Sequence, residues 1–242
     1  MRPCGPSVQR LVVPVKLEHV AEDAVLITFG DDIDETLPPA IAAVVDRLSE
    51  AELPWLVDLV PSYTTLLVVY DPVGTDFRQA ECYLRQAIQT ALSSDPDSTT
   101  AAPSRTVELP VYYSPETGPD LEQLAGYART TVDRLIQTHT ETRYTVYALG
   151  FAPGFAFMGQ VDPSIACPRK SSPRKRVPAG SVGIAGRQTA VYPTASPGGW
   201  QLIGRCPVSL FNTRNLSLLQ VGDQVAFRAI GREEFLALGG TL

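Results

Sequence analysis

The sequence has few cysteines, and none of them forms part of a known paired motif. The four lie far apart along the chain, at Cys4, Cys82, Cys167 and Cys206. Without a C-x-x-C pair, neither a zinc site nor a disulfide framework is expected. No run of about 18 apolar residues occurs, so the sequence predicts no membrane-spanning helix. The first twenty residues also lack the continuous apolar segment of a secretory signal, which makes the cytoplasm the expected location.

Acidic residues are missing from one long segment of an otherwise acidic protein. The chain has a formal net charge of −6, which makes nucleic acid an unexpected partner. Between Pro163 and Gly222 there is no Asp or Glu, but the same segment contains eight Lys and Arg residues. The rest of the chain must then carry a net charge of −14. A basic segment in this setting predicts a local anion site or a surface for a partner protein.

The first part of the chain reads as a small α+β unit. Amphipathic helices are predicted over Leu37–Glu50, which begins with Pro38-Pro39, and over Thr75–Leu92. Short apolar runs of strand type precede and separate them. The four predicted strands are Val12–Leu17, Ala24–Phe29, Trp55–Val60 and Thr65–Tyr70. The following segment, SSDPDSTTAAPS, is small, polar and interrupted by proline, which is typical of a linker.

The second part of the chain is richer in glycine and predicts a closed barrel or a sandwich. A strand at Thr106–Tyr113, a helix at Pro119–Gln137 and a strand at Tyr144–Leu149 are expected first. From Gly150 onward, short apolar runs alternate with Gly and Pro turns, as in a barrel or sandwich. We therefore predict an α+β protein with an N-terminal domain at 1–92, a linker at 93–104 and a β-rich domain at 105–242.

Three glycine- and proline-rich segments stand out in the second domain. They are GFAPGFAFMG at 150–159, CPRKSSPRKRVPAGSVGIAG at 167–186 and YPTASPGGWQLIGR at 192–205. Each fixes a tight backbone path and carries aromatic or basic side chains. Taken singly, they are equally consistent with barrel turns packed by aromatic residues. None has the spacing of a dinucleotide fingerprint or a Walker A loop.

Together these segments resemble the family of the 5-oxoprolinase B-subunit, also called the KipI or allophanate hydrolase subunit 1 family. Its domain recurs inside urea carboxylase. The matching positions are His139, Tyr144, Val146, Gly150, Phe151, Pro153–Phe155, Pro168, Arg169, Pro173, Arg174, Val177–Val182, Ile184–Gly186, Gln188, Thr189, Tyr192, Pro193, Ser196–Trp200, Leu202–Arg205, Gly222, Asp223, Val225 and Phe227. Cys167 and Cys206 stand where the family usually has Thr, so neither thiol is expected to act as a nucleophile.

The resemblance implies a fold and a function. The fold would be a cyclophilin-like β-barrel after a small α+β domain. The function would be that of a non-autonomous subunit of a heteromeric, ATP-dependent 5-oxoprolinase, which opens 5-oxo-L-proline to L-glutamate at an interface active site. Its partners would be the other two oxoprolinase subunits, a C-type barrel protein and an A-type protein. ATP and Mg²⁺ would be used by the complex and not bound by this chain alone.

Two other functions remain open on the sequence alone. One is an interaction protein that inhibits a sensor histidine kinase. The other is a component of an allophanate- or urea-processing enzyme. All three would share the same barrel.

The resemblance and the chemistry of the residues together give the candidate site. Arg169 and Arg174 each follow a proline, and a guanidinium binds two oxygens of a carboxylate or phosphate at once. His139 is predicted near a helix C-terminus, which favours the imidazolium and a role in acid–base catalysis. No metal ligands are predicted. The expected substrate-binding residues are Phe151, Pro153, Phe155, Gln188, Tyr192, Trp200 and Arg205.

Plainer interpretations of these residues stay open at this point. The arginines suit a solvated loop or a partner contact, and His139 suits a helix cap or a packed imidazole. Lys170, Lys175 and Arg176 are expected to be solvated.

Overall fold

The computed structural model describes residues 15–34, 36–93, 105–214 and 216–242. The chain divides into two compact units at Ser94 and Asp95. The predicted linker at 93–104 lies outside the described residues, except for Ser93. Independent folding of the two predicted domains stays a prediction, taken up in the Discussion.

The first unit is a four-stranded antiparallel sheet with two helices. Its strand order is β1-β2-β4-β3, and hydrophobic side chains of the sheet and of both helices form one core. The elements are β1 (Lys16–Ala21), β2 (Ala24–Thr28), α1 (Leu37–Glu50), β3 (Leu56–Ser62), β4 (Thr65–Tyr70) and α2 (Phe77–Ser93). Helix α1 begins with prolines in its first turn, as the sequence predicted. The predicted strand Val12–Leu17 lies partly outside the described residues, and β1 begins later, at Lys16.

The second unit is built on a seven-stranded sheet that curls into a barrel. The strand order is β12-β9-β10-β7-β6-β15-β5. Its elements are β5 (Thr106–Val111), α3 (Leu121–Tyr127), α4 (Val132–Glu141), β6 (Arg143–Leu149), β7 (Ala156–Gly159), β8 (Arg174–Val177), β9 (Ser181–Ala185), β10 (Gln188–Val191), β11 (Ser196–Gly198), β12 (Gln201–Arg205), β13 (Phe211–Asn212), β14 (Leu216–Ser217), β15 (Gln224–Ala229) and α5 (Arg232–Ala237). The α+β class with a barrel is thereby confirmed.

A short bridge joins the two edges of this sheet. Tyr112, just after β5, donates its backbone N–H to the carbonyl of Arg205 at 2.9 Å, and Arg205 donates in return to Tyr112 at 3.0 Å. Because Arg205 ends β12, this reciprocal pair connects the first and last strands of the sheet. Pairing the edges removes exposed N–H and C=O groups that would otherwise invite another strand.

The helix predicted over Pro119–Gln137 is wrong as a single element, because the chain forms α3 and α4 there. Arg129, between them, has a φ of 53° in the left-handed region, which interrupts the helix. Thr131 then caps α4, since its hydroxyl oxygen accepts the backbone N–H of Arg134 at 3.2 Å. No helix in the described ranges is long and apolar enough to cross a bilayer.

Candidate active site

Five aromatic side chains from two of the glycine- and proline-rich segments, 150–159 and 192–205, form an aromatic cluster, defined here as Phe151, Phe155, Phe157, Tyr192 and Trp200. Phe155 is central. Its ring centroid lies 5.1 Å from that of Phe151, 5.3 Å from that of Tyr192 and 5.8 Å from that of Trp200, in edge-to-face or near edge-to-face arrangements. Such pairs stabilise beyond the area that they bury. Phe155, Tyr192 and Trp200 are buried, so most of the cluster is a core contact.

Phe151 differs from the rest of the cluster because it faces solvent. The residue is 65% exposed, and its φ of 70° lies in a region that bulky residues rarely adopt. The turn behind it is fixed by Gly154, with a φ of 81°, where a Cβ would lie 2.8 Å from the carbonyl oxygen of Leu210. Pro153 is also exposed. The 150–154 turn therefore presents an aromatic ring to solvent above a buried aromatic base.

Arg169 lies over this base. Its guanidinium carbon is 5.8 Å from the ring centroid of Trp200, within the range of a cation–π interaction. The residues on either side of Arg169 are anchored. The Lys170 N–H donates to the carbonyl of Gly199 at 2.7 Å, and the Gln201 amide donates to the carbonyl of Pro168 at 3.0 Å. Within the described ranges no carboxylate pairs with Arg169. The loop thus places one exposed guanidinium on Trp200, in the aromatic cluster that also includes the exposed ring of Phe151.

Asp120 is the functional candidate that sequence reasoning missed. Its buried carboxylate accepts two hydrogen bonds from Nη2 of Arg174, at 2.6 and 2.7 Å, and one from Nζ of Lys170 at 3.0 Å. It also accepts the backbone N–H of Leu202 at 2.7 Å. The sequence signal was ambiguous, because Asp before a helix is the ordinary pattern of a capping residue.

The charge state of Asp120 follows from these contacts. Burial on its own raises the pKa of a carboxyl group. Hydrogen bonds from Arg174, the Leu202 N–H and Lys170, with the positive charge of Arg174, outweigh burial and hold the pKa of Asp120 below its ordinary value. Asp120 is therefore ionised at neutral pH.

These contacts change the expected roles of two cations. Arg174 was predicted as a catalytic partner of Arg169, but its guanidinium is bound to Asp120 and also donates to the carbonyl of Trp200 at 3.3 Å. The prediction that Lys170 is solvated is wrong, because its ammonium group forms an ion pair with Asp120. Lys175 and Arg176, on β8, are exposed. Of the predicted arginine pair, only Arg169 presents its guanidinium to solvent.

His139 lies in a buried hydrogen-bonded chain and away from solvent. The Thr189 hydroxyl donates to the carbonyl of Gly183 at 3.1 Å, so its oxygen accepts the Nε2–H of His139, also at 3.1 Å. Nδ1 of His139 is then able to accept the hydroxyl of Tyr113 at 2.8 Å. This network assigns the Nε2–H tautomer.

The expectation of an imidazolium at His139 is wrong. Burial lowers the pKa of His139 to about 3, because a charged ring would lose its hydration. This effect overrides the weak preference for a cation at a helix C-terminus. The ring also stacks on Phe227, with centroids 4.6 Å apart. These features suit a structural imidazole.

Arg205 lies at the end of β12 that is farther from Trp200 and Arg169. Trp200 immediately precedes β12, whereas Arg205 ends that strand, where it forms the barrel bridge. The Arg205 side chain is nearly buried and donates from Nη1 to the carbonyl of Thr241 at 2.6 Å. Gln188 begins β10 and is half-buried opposite Ala185. The structure thus brings together Arg169, Phe151, Phe155, Tyr192 and Trp200 among the predicted site residues.

The two cysteines of the second unit are poorly suited to nucleophilic chemistry. Cys167 and Cys206 are buried. Burial raises the pKa of both thiols, in Cys206 to about 11. Within the described ranges, no three His, Cys, Asp or Glu side chains are placed to hold a metal ion.

Comparison with known proteins places this chain in a family. Residues 15–219 match the family described as carboxyltransferase domain, subdomain C and D. The B-subunit of 5-oxoprolinase from Bacillus subtilis (strain 168) is 39% identical over 239 residues, which cover 94% of this chain and 98% of that protein. The chain belongs to the 5-oxoprolinase B-subunit family. The resemblance seen in the sequence is confirmed.

Solved structures extend this likeness. A conserved uncharacterized protein from Pyrococcus horikoshii is 40% identical, with 91% of this chain and all of that chain covered at a TM-score of 0.53. The urea carboxylase of Kluyveromyces lactis superposes with a TM-score of 0.73 over 92% of this chain and 22% of its own. At 18% identity, this second likeness concerns the fold alone.

Proposed function

We propose that this member of the 5-oxoprolinase B-subunit family is a non-autonomous part of a cytoplasmic, heteromeric 5-oxoprolinase. The complex would open 5-oxo-L-proline to L-glutamate with ATP and Mg²⁺, and this chain would contribute one side of an interface active site. The name of its relative supports the reaction, since the match extends over nearly the whole of both chains. The other two oxoprolinase subunits, a C-type barrel protein and an A-type protein, would supply the remainder.

The observation that carries the proposal is the exposed guanidinium of Arg169 on Trp200, which belongs to the same aromatic cluster as the exposed ring of Phe151. The substrate is a small five-membered lactam with a single carboxylate. An aromatic face suits the flat ring, and the planar fork of an arginine binds both carboxylate oxygens. In this proposal Arg169 binds the carboxylate, and the exposed ring of Phe151 contacts the lactam and orients it toward the partner protein.

The same residues do not fit ATP. The sequence has no Walker A loop, and Lys170 and Arg174 already bind Asp120. One exposed guanidinium is a poor match for a triphosphate. We therefore assign ATP, and the stabilisation of any phosphoryl group, to the partner proteins.

Proton transfer is likewise assigned to the partners. Ring opening adds water across the lactam C–N bond, which requires a proton at the departing nitrogen. The buried neutral His139 has no route to that atom, and the Asp120 carboxylate is fully engaged by Arg174, Lys170 and Leu202.

Reconstitution with the two partner proteins tests the proposal. Glutamate release from 5-oxoproline, ATP and Mg²⁺ is expected from the complex, and none is expected from the purified chain. Arg169→Ala should lower kcat/KM of the complex by about 10- to 150-fold, since a charge-assisted hydrogen bond contributes roughly 1.5–3 kcal/mol. Arg169→Lys should recover part of the loss, because an ammonium group lacks the two-oxygen fork.

Lys175→Ala is the matched control, because it removes an exposed cation of the same basic segment. It should leave turnover unchanged, and size exclusion should show normal assembly for every variant. Robust turnover by the isolated chain would contradict the proposal of a non-autonomous role. Wild-type kinetics in an assembled Arg169→Ala complex would remove the proposed role of Arg169.

A further inference from the structure

Asp120 occupies the N-cap of α3 but does not cap the helix. Its side chain accepts no hydrogen bond from the first turn of α3. An Asp at this position ordinarily stabilises the helix by accepting one of the unpaired N–H groups. Here the carboxylate turns to the 168–174 segment and to β12. The carboxylate of Asp120 accepts hydrogen bonds from Arg174, Lys170 and Leu202 in place of the capping interaction.

These contacts hold the loop that carries Arg169. The ammonium group of Lys170 forms an ion pair with Asp120, and its backbone N–H donates to the carbonyl of Gly199. The guanidinium of Arg174 donates to the Asp120 carboxylate and to the carbonyl of Trp200. The backbone N–H of Asp120 also donates to the carbonyl of Leu202 at 3.0 Å, so one residue is fixed to β12 at two points. Arg169, next to Lys170, is thereby held above Trp200.

Asp120 also sets the charge that the loop presents. Without its carboxylate, the positive charges of Arg169, Lys170 and Arg174, which lie within six residues of the chain, would have no compensating negative charge at this position. With it, Arg174 and Lys170 direct their donors to Asp120, and Arg169 is the one of these three cations that directs its charge to solvent. One guanidinium matches the two oxygens of a carboxylate, whereas a phosphate binds more strongly where several cations converge.

We infer that Asp120 is a positioning residue that acts through Lys170 and Arg174 to hold Arg169 on Trp200 and to restrict the loop to a single carboxylate in place of a phosphate. Only the choice of 5-oxoproline as the carboxylate ligand rests on the proposed function.

The test uses Asp120→Asn, which preserves the shape of the side chain and removes its charge. The matched control is Glu122→Gln, which removes an exposed carboxylate from the first turn of the same helix. Both are made in the full chain with Trp55→Phe, so that Trp200 is the remaining tryptophan. Emission from Trp200 then reports the guanidinium above its ring, with no partner protein required.

Three results are expected when both variants are measured at low salt and below their melting temperatures. Asp120→Asn changes the Trp200 emission in the absence of ligand, whereas Glu122→Gln does not. The affinity of Asp120→Asn for inorganic phosphate rises about tenfold, because Lys170 and Arg174 are released. Its affinity for 5-oxoproline falls about tenfold, because Arg169 is no longer held. The emission and phosphate measurements stand even if 5-oxoproline is the wrong substrate.

Parental emission and parental phosphate affinity in folded Asp120→Asn would overturn the inference and leave Asp120 with a role in stability only. If that variant does not fold, Lys170→Met takes its place. It removes one of the two cations bound to Asp120 and should change Trp200 emission without any gain in phosphate affinity. Unchanged emission in Lys170→Met would also overturn the inference.

Discussion

At the scale of the residue, His139 shows how burial decides the role of a titratable side chain. Its two ring nitrogens are both used, one as acceptor for Tyr113 and one as donor to Thr189. Protonation would place a second N–H against the Tyr113 hydroxyl in a fully buried site. The neutral ring is thus part of the native hydrogen-bonded structure.

This arrangement predicts a pH dependence of stability. The unfolded histidine has a pKa near 6.5, but the pKa of His139 in the folded chain is about 3. Between these values the unfolded state binds the extra proton, so the unfolding free energy falls as the pH falls, by about 1.4 kcal/mol per unit. His139→Gln should be less stable than the parent at pH 7 by about 1–3 kcal/mol, because partners are left unsatisfied.

Relative to pH 7, the advantage of the parent over His139→Gln in unfolding free energy should decrease by about 2 kcal/mol at pH 5. Only the parent has the His139 imidazole, whose protonation favours the unfolded state. Urea unfolding of both proteins at several pH values measures it. All other ionisable groups are the same in both proteins, so their contributions cancel in the comparison. A stability difference that does not vary with pH would show that His139 is not held neutral.

The sequence predicts the chemistry of the cationic loop better than the role of each cation in it. The prolines and arginines of 168–174 indicate an anion site, and Arg169 is exposed there. Which arginine is free of a carboxylate depends on Asp120, 54 positions before Arg174. A local pattern contains no information on such a distant carboxylate. Burial of His139 in α4 is equally non-local, since Phe227 and Thr189 come from strands β15 and β10.

At the scale of the element, the N-terminal end of α3 packs against β12, and Gly118 provides the close contact. A Cβ at Gly118 would overlap the backbone carbonyl of Ile203, so the segment before α3 lies directly on the strand. Gly118→Ala should therefore destabilise the chain by about 1–3 kcal/mol through overpacking of backbone. Thermal unfolding followed by circular dichroism measures the change.

Gly126→Ala is the control within the same helix. A Cβ there meets no atom within 4 Å, so the substitution should be neutral or stabilising by about 0.5–1 kcal/mol through helix propensity. Equal melting temperatures for Gly118→Ala and the parent would show that the close approach is absent in solution.

Element prediction succeeds where the periodicity is strong and fails at short, irregular pieces. Helix α1 has the predicted bounds, since its apolar spacing and Pro-Pro start are local signals. The strands β7, β8 and β11 are not predicted individually from the sequence, because they span three or four residues and include or adjoin Gly or Pro. Such strands exist through pairing with neighbours, which no local window contains.

At the scale of the whole molecule, the two units have separate cores. One cluster of buried residues lies within the first unit, and the other two lie within residues 107–227. Cleavage within 94–104 should therefore leave 105–242 folded. We expect β-type circular dichroism and a cooperative thermal transition from that fragment. A fragment that aggregates or melts without cooperativity would show that the barrel needs the first unit.

The barrel itself was predicted from glycine and proline spacing together with the family resemblance. The strand order of the barrel could not be predicted from the sequence. It depends on long-range pairing, since β5 pairs in parallel with β15 and the sheet edges meet at Tyr112 and Arg205. Hydrophobic alternation fixes which residues of a strand face inward, but not which strand lies beside it.

The pairing of β5 with β15 has a consequence for biosynthesis. Gln224 lies 118 positions after Thr106, with which it is in register. At a translation rate of about 5–20 residues per second, β5 waits roughly 6–24 s before its parallel neighbour is made. During that time the nascent chain displays a strand edge and the apolar residues that β15 later covers. The barrel therefore closes only after β15 is made, and a chain that ends before β15 lacks the strand that lies between β5 and β6.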